Sequence, residues 1–78
     1  MEIETQSKIL RALRAMSGKT QREIANAAGI ATNSVVDAEM GVRCTNRTWE
    51  KVLAVFGEEG YRVDTVLGLT AIILTRKE

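Results

Sequence analysis

The sequence predicts a small, mostly α domain of four helices followed by a C-terminal β-hairpin or pair of dimerisation strands. Three observations carry that expectation. Apolar residues recur at a spacing of about 3.6 up to Gly57, and from Tyr61 onward the spacing changes to about 2. The stretch "TQREIANAAGIATNSVV", residues 20–36, is an apolar helical pattern cut by one glycine that then resumes. The chain has 78 residues with no proline, no low-complexity tract and no internal repeat, so residues 1–78 read as one domain. Its helical part covers about residues 1–57 and its hairpin about residues 61–76. At this size one core is only marginally sufficient, and a partner chain is expected to supply further burial.

The first helix is predicted to begin after Thr5 and to run to about Ser17, with Ile9, Leu13 and Met16 at helical spacing, Leu10 beside them and Gly18 placed to end it. Lys8, Arg11 and Arg14 lie three apart on another face, either as a solvated surface or facing phosphates. The second helix begins at Gln21. Thr20 and Glu23 form a T-x-x-E capping box, in which the hydroxyl accepts from an N–H of the first turn and the carboxylate accepts from the cap residue's own N–H. Ile24, Ala25 and Ala28 supply its apolar face, and Gly29 stands where a left-handed cap is needed. After "GIAT" the pattern resumes with Val35 and Ala38 in a third helix that leaves at a steep angle. Thr45 is a plausible cap for a fourth, in which Trp49, Val52, Leu53 and Phe56 recur at i, i+3, i+4 and i+7 as a core stripe.

Beyond Gly57, Tyr61, Val63 and Thr65 alternate with Arg62, Asp64 and Val66. Leu67, Gly68 and Leu69 read as a glycine-containing turn, and "TAIILT" is apolar on both faces. Such a strand needs cover on both sides. Part of it is expected to pack on the helices and the rest to pair with the same strand of a second subunit.

The composition excludes several function classes. Hydrophobic residues make up 45% and charged residues 27%, which suits a folded soluble domain, and no apolar run approaches the roughly 20 residues of a membrane span. Acidic residues in "MEIETQSKIL" stand where a signal peptide would be basic, so a cytoplasmic protein is expected. Histidine is absent and Cys44 stands alone, so the commonest general base, a cysteine zinc cage and an internal disulfide are all missing. An enzyme is not expected, and neither a cofactor nor a metal site is predicted. Cys44 itself reads as structural or incidental.

The interrupted pattern at Gly29 answers to a helix-turn-helix. Small Ala25 permits close approach of two helices, while Ile24, Ile30 and Val35 fill the angle between them. The second helix of such a pair is short and exposed on one side, and can enter the major groove of B-DNA while the first lies across the backbone.

The run "TQREIANAAGIATNSVVDAEMGVR" resembles the helix-turn-helix of the phage Cro and C1 repressor family, also called XRE-like. Gln21, Ala25, Gly29, Ile30, Val35, Glu39, Gly41 and Arg43 match its pattern in place, and "TNRTWEKVLAVFG" looks like the family's next helix. The resemblance spans about residues 9–57. It implies a four-helix, lambda-repressor-like fold and a sequence-specific DNA-binding transcriptional regulator, a repressor acting as a homodimer on a palindromic operator. By position, Gln21 resembles the glutamine that binds a phosphate at a helix N-terminus. Thr32, Asn33 and Asp37 fall where the family places base-reading side chains, with Val36 and Met40 at the edges of that surface. Asn33 can pair with both N7 and N6 of adenine. Asp37 must accept from cytosine N4, pair with an arginine, or exclude other bases. Arg43 and Arg47 beyond the third helix, and Lys19 and Arg22 before it, are the phosphate candidates. Glu39 is expected to hold the following turn, by hydrogen bonds or by a pair with Arg43.

Two features depart from the family pattern. Ala31 is a poor N-cap where serine or glycine is common, which lets the helix start shift to Thr32. The net charge is only +1, with eight basic residues against six acidic up to Gly57 and three against four beyond it. Non-specific attraction to DNA is then modest, and binding leans on two subunits acting together. Two other functions fit the same sequence: a DNA-binding antitoxin whose hairpin grips a toxin partner, and a protein-interaction domain that binds no DNA.

Overall fold

The computed structural model describes residues 2–66 and 69–74, with side chains described to residue 64 and again over 71–73. Four helices, α1 (Ile3–Ser17), α2 (Gln21–Ala28), α3 (Thr32–Glu39) and α4 (Asn46–Glu58), precede two antiparallel strands, β1 (Tyr61–Val66) and β2 (Leu69–Leu74). The mostly helical class with a small C-terminal sheet is the one expected. None of the described helices is long and apolar enough to cross a membrane.

Helix α1 starts earlier than the sequence suggested. The N–H of Gln6 donates to the carbonyl of Glu2 at 3.0 Å, so Thr5 lies inside the helix and is not its cap. Packing accounts for the extension. Gln6 and Ser7 are buried, and Ser7 lies against Gly41 at the far end of α3, so the first turn is held by tertiary contact although no side chain caps it. Ile9, Leu10 and Leu13 are buried as expected, whereas Met16 is half exposed. The buried span of α1 ends at Leu13, and the last turn runs past it before Gly18 closes the helix.

The capping box at α2 forms as read. The N–H of Glu23 donates to Thr20 Oγ1 at 3.1 Å and the N–H of Thr20 donates to Glu23 Oε1 at 3.1 Å. At the other end Gly29 takes φ 70°, and the next N–H, of Ile30, reaches back to the Ala25 carbonyl at 3.0 Å. A left-handed residue there returns the chain on itself within residues 29–31, so Ile30 packs against the core and α3 can begin at Thr32.

The core gathers Ile9, Leu10, Leu13, Ile24, Ala25, Val35, Ala38, Val52 and Phe56, so each helix contributes. At roughly 1.5–3 kcal/mol for each fully buried large aliphatic or aromatic side chain, this cluster is the main source of stability. Thr45 caps α4 by accepting from the N–H of Thr48 at 3.1 Å, and Trp49 and Leu53 flank the buried Val52 and Phe56.

In the sheet Tyr61 pairs with Leu74, Val63 with Ile72 and Val66 with Leu69. Tyr61, Val63 and Ile72 pack against the helical core, and the Tyr61 ring meets Phe56 edge-on at a centroid distance of 6.3 Å. Arg62, Asp64, Ala71 and Ile73 belong to the opposite face by alternation. Leu69 is the first residue of β2 rather than part of the turn, because its backbone pairs with Val66. Leu67 and Gly68, also expected in the turn, and residues 75–78, which include the last two of the expected hairpin, lie outside the described residues.

Candidate nucleic-acid interface

Helix α3 is short and buries one side. Val35 and Ala38 are buried on the core side, and Glu39 is buried with them. Glu39 was expected to hold the following turn by hydrogen bonds or to pair with Arg43, and among the described residues its carboxylate does neither. Its two carboxylate oxygens accept from Arg14 Nε at 2.9 and 3.1 Å, which ties α3 to α1. The reason is positional. A buried carboxylate requires a charge partner, and α1 presents Arg14 to it, while Arg43 lies beyond the turn at Gly41 and is exposed. Of the stripe Lys8, Arg11 and Arg14, read as either a solvated surface or a phosphate-facing one, Arg14 is thereby engaged within the fold.

Away from the core, Asn33, Asp37 and Met40 form an i, i+4, i+7 ridge on α3. Asn33 is exposed, Asp37 is half-buried, and Met40 is 71% exposed. Thr32 and Val36 flank the ridge and are half-buried. Ala31 is the N-cap and Thr32 the first helical residue, with no side chain capping the start. The helix start at Thr32 is the shifted one that the poor cap at Ala31 allowed.

The end of α3 is closed by backbone. Gly41 takes φ 73°, its N–H donates to the Ala38 carbonyl at 3.2 Å, and the N–H of Val42 donates to the Asp37 carbonyl at 2.9 Å. This double closure is the Schellman arrangement, and it needs a residue tolerant of positive φ. It returns the chain so that Arg43 stands beside α3. Ser34, Asp37, Arg43, Thr45 and Thr48 then line an open polar cleft of about 270 Å³ between α3 and the start of α4.

Sequence reasoning singled out Asp37, Arg43 and Thr45 but missed Ser34 and Thr48. Both were legible in principle, since Ser34 precedes Asp37 by one helical turn and Thr48 follows the α4 cap by three residues.

The remaining candidates are distributed as follows. Gln21 is the first residue of α2 and is half-buried, beside the exposed Arg22. Arg47 is exposed in the first turn of α4. Lys19 is engaged: its Nζ lies 3.0 Å from Glu59 Oε1, and that hydrogen bond and charge raise the ammonium pKa above its ordinary value. The Thr20 backbone N–H holds the Glu23 carboxyl below its ordinary value. Among the described residues Arg22, Arg43 and Arg47 make no ion pair. Cys44 packs half-buried against the core, and desolvation raises its thiol pKa, which disfavours the reactive thiolate. Among the described residues no three or more Asp, Glu or Cys side chains gather as a metal site.

What the arrangement offers is therefore polar recognition: the exposed Asn33 amide on α3 and, in the cleft beside it, the Asp37 carboxylate and an Arg43 guanidinium that makes no ion pair among the described residues. Compared with protein-family models, with curated proteins and with solved structures, the chain finds no match.

Proposed function

We propose that α2, the turn at residues 29–31 and α3 form a helix-turn-helix of the Cro and C1 type, and that the protein is a sequence-specific DNA-binding regulator that represses transcription as a homodimer. One observation carries this reading. Helix α3 is locked to the core by Val35, Ala38 and the Glu39–Arg14 pair, and carries Asn33, Asp37 and Met40 on the side turned away from that core. A short helix supported on one side, with an amide, a carboxylate and a thioether side chain on the other, is the shape that enters a major groove.

On this reading Gln21 and Arg22 at the start of α2, and Arg43 and Arg47 around the start of α4, meet phosphates and position the protein, while Asn33 reads adenine. Lys19 contributes to phosphate binding only by exchanging Glu59 for DNA. The second subunit joins through β2, whose outer edge pairs with no strand among the described residues. An imperfect palindrome read by such a dimer requires the two α3 helices about 34 Å apart, one turn of B-DNA.

The test is selection of bound sequences from a random DNA pool followed by retardation assays at increasing salt. A selected palindromic site bound with steep salt dependence is the expected result. Asn33→Ala should then weaken the selected site by about 1–3 kcal/mol and leave random DNA unaffected. Binding to no DNA at low salt would overturn the reading, and equal losses on both DNAs would remove Asn33 from base readout.

A further inference from the structure

Asp37 places an anion in the middle of the α3 ridge, where DNA would bring another. Within the described residues the carboxylate is not used by the fold. Among the described residues it has no ion pair or hydrogen bond, and α3 is closed by its backbone carbonyl, which accepts from Val42 and Arg43. The Arg43 guanidinium shares the same cleft and is likewise without an ion pair among the described residues. The cleft is thus neutral in sum, with one acceptor and one donor group held apart among the hydroxyls of Ser34, Thr45 and Thr48.

We infer that Asp37 accepts a hydrogen bond from N4 of cytosine in the major groove and so fixes cytosine at one position of each half-site, while Arg43 neutralises the nearest phosphate. The inference rests on the DNA-binding reading and deepens it.

Elimination by base chemistry selects the partner. A carboxylate can only accept. Guanine presents N7 and O6, both acceptors, and thymine presents O4 and a methyl group, so both repel or ignore it. Adenine offers its N6 amino group beside the N7 acceptor, which would face a carboxylate oxygen. Cytosine offers N4 alone on its own edge. Arg43 keeps the contact from being prohibitive, because the phosphate charge nearest Asp37 would be met by the guanidinium in the same cleft.

The inference also sets spacing. Asn33 and Asp37 are one helical turn apart, about 6 Å along the axis, against about 3.4 Å between successive base pairs. The cytosine therefore lies within about two base pairs of the adenine read by Asn33.

The experiment compares the wild-type chain with Asp37→Asn and Asp37→Ala. Both leave the backbone carbonyl that closes α3, and circular dichroism verifies that both fold. Each protein selects sites from the same random duplex pool, and affinities are then measured for the wild-type site and for its three single-base variants at the assigned position.

The wild-type chain should select cytosine there and lose roughly 5- to 150-fold on any other base. Asp37→Asn should move that one position to adenine. Asp37→Ala should lose the preference and bind random DNA more tightly than wild type, having lost an anion. Retention of cytosine by both variants, or wild-type sites lacking a cytosine within two base pairs of the adenine, would overturn the inference while leaving the DNA-binding reading in place. A wild-type chain that enriches no sequence would overturn both.

Discussion

Removing the Arg14 guanidinium should cost more than any surface charge in this chain, because of what it leaves behind. The Glu39 side chain is 4% exposed and that of Arg14 is 34% exposed, with Nε 2.9 Å from one carboxylate oxygen and 3.1 Å from the other. At about 4 Å between charges and an effective dielectric near 20, the attraction is on the order of 4 kcal/mol, and desolvation of the carboxylate offsets much of it. Breaking a fully buried pair costs about 3–5 kcal/mol. Because Arg14 is a third exposed, water can partly replace it, and about 2–3 kcal/mol is the expected loss for Arg14→Met. That is a large share of a domain whose whole stability, at ~0.05–0.15 kcal/mol per residue, is about 4–12 kcal/mol. Glu39→Leu should cost less, since the guanidinium left behind can turn to solvent. The double variant should recover most of the loss, as apolar replacements of buried pairs often do. Urea unfolding of the four proteins, followed by far-ultraviolet circular dichroism, gives the coupling directly. Additive losses within about 0.5 kcal/mol, or an Arg14→Met loss below that value, would refute the claim that this pair locks α3 to α1.

Gly29→Ala should destabilise by about 1–2 kcal/mol in the same urea assay, because φ of 70° is strained for a residue with a Cβ although nothing lies within 4 Å of the atom added. Gly29→Asn should cost distinctly less, and equal costs would point to some origin other than backbone strain. The Glu23 carboxyl is held below its ordinary 4.5 by the Thr20 N–H, so the unfolded chain binds the extra proton first as pH falls. The stabilisation is therefore complete above 4.5 and fades as pH drops through the folded value; the stability gap between wild type and Glu23→Gln should narrow across that window, and a gap independent of pH would refute it. Arg43→Ala should weaken binding to selected and random DNA alike and lower the salt slope by about one, whereas an unchanged slope would return Arg43 to the solvated surface.

Local chemistry determined much of this protein before any tertiary contact was considered. The capping box at Thr20 and Glu23, the left-handed Gly29, the Thr45 cap and the i, i+3, i+4, i+7 stripe from Trp49 to Phe56 involve residues a few positions apart, and such interactions can be read along one dimension. The change of period after Gly57 likewise announced strands. Tertiary structure decided what depends on distant partners. It drew α1 back to Ile3 by burying Gln6 and Ser7, left Met16 uncovered, and gave the Glu39 carboxylate to Arg14, 25 residues away, rather than to the nearer Arg43. It also gathered Ser34, Asp37, Arg43, Thr45 and Thr48 into one cleft, through a turn whose closure runs entirely over backbone N–H and carbonyl groups. Those outcomes follow from which buried group must find a partner and which surfaces are left over, and only the assembled chain specifies either.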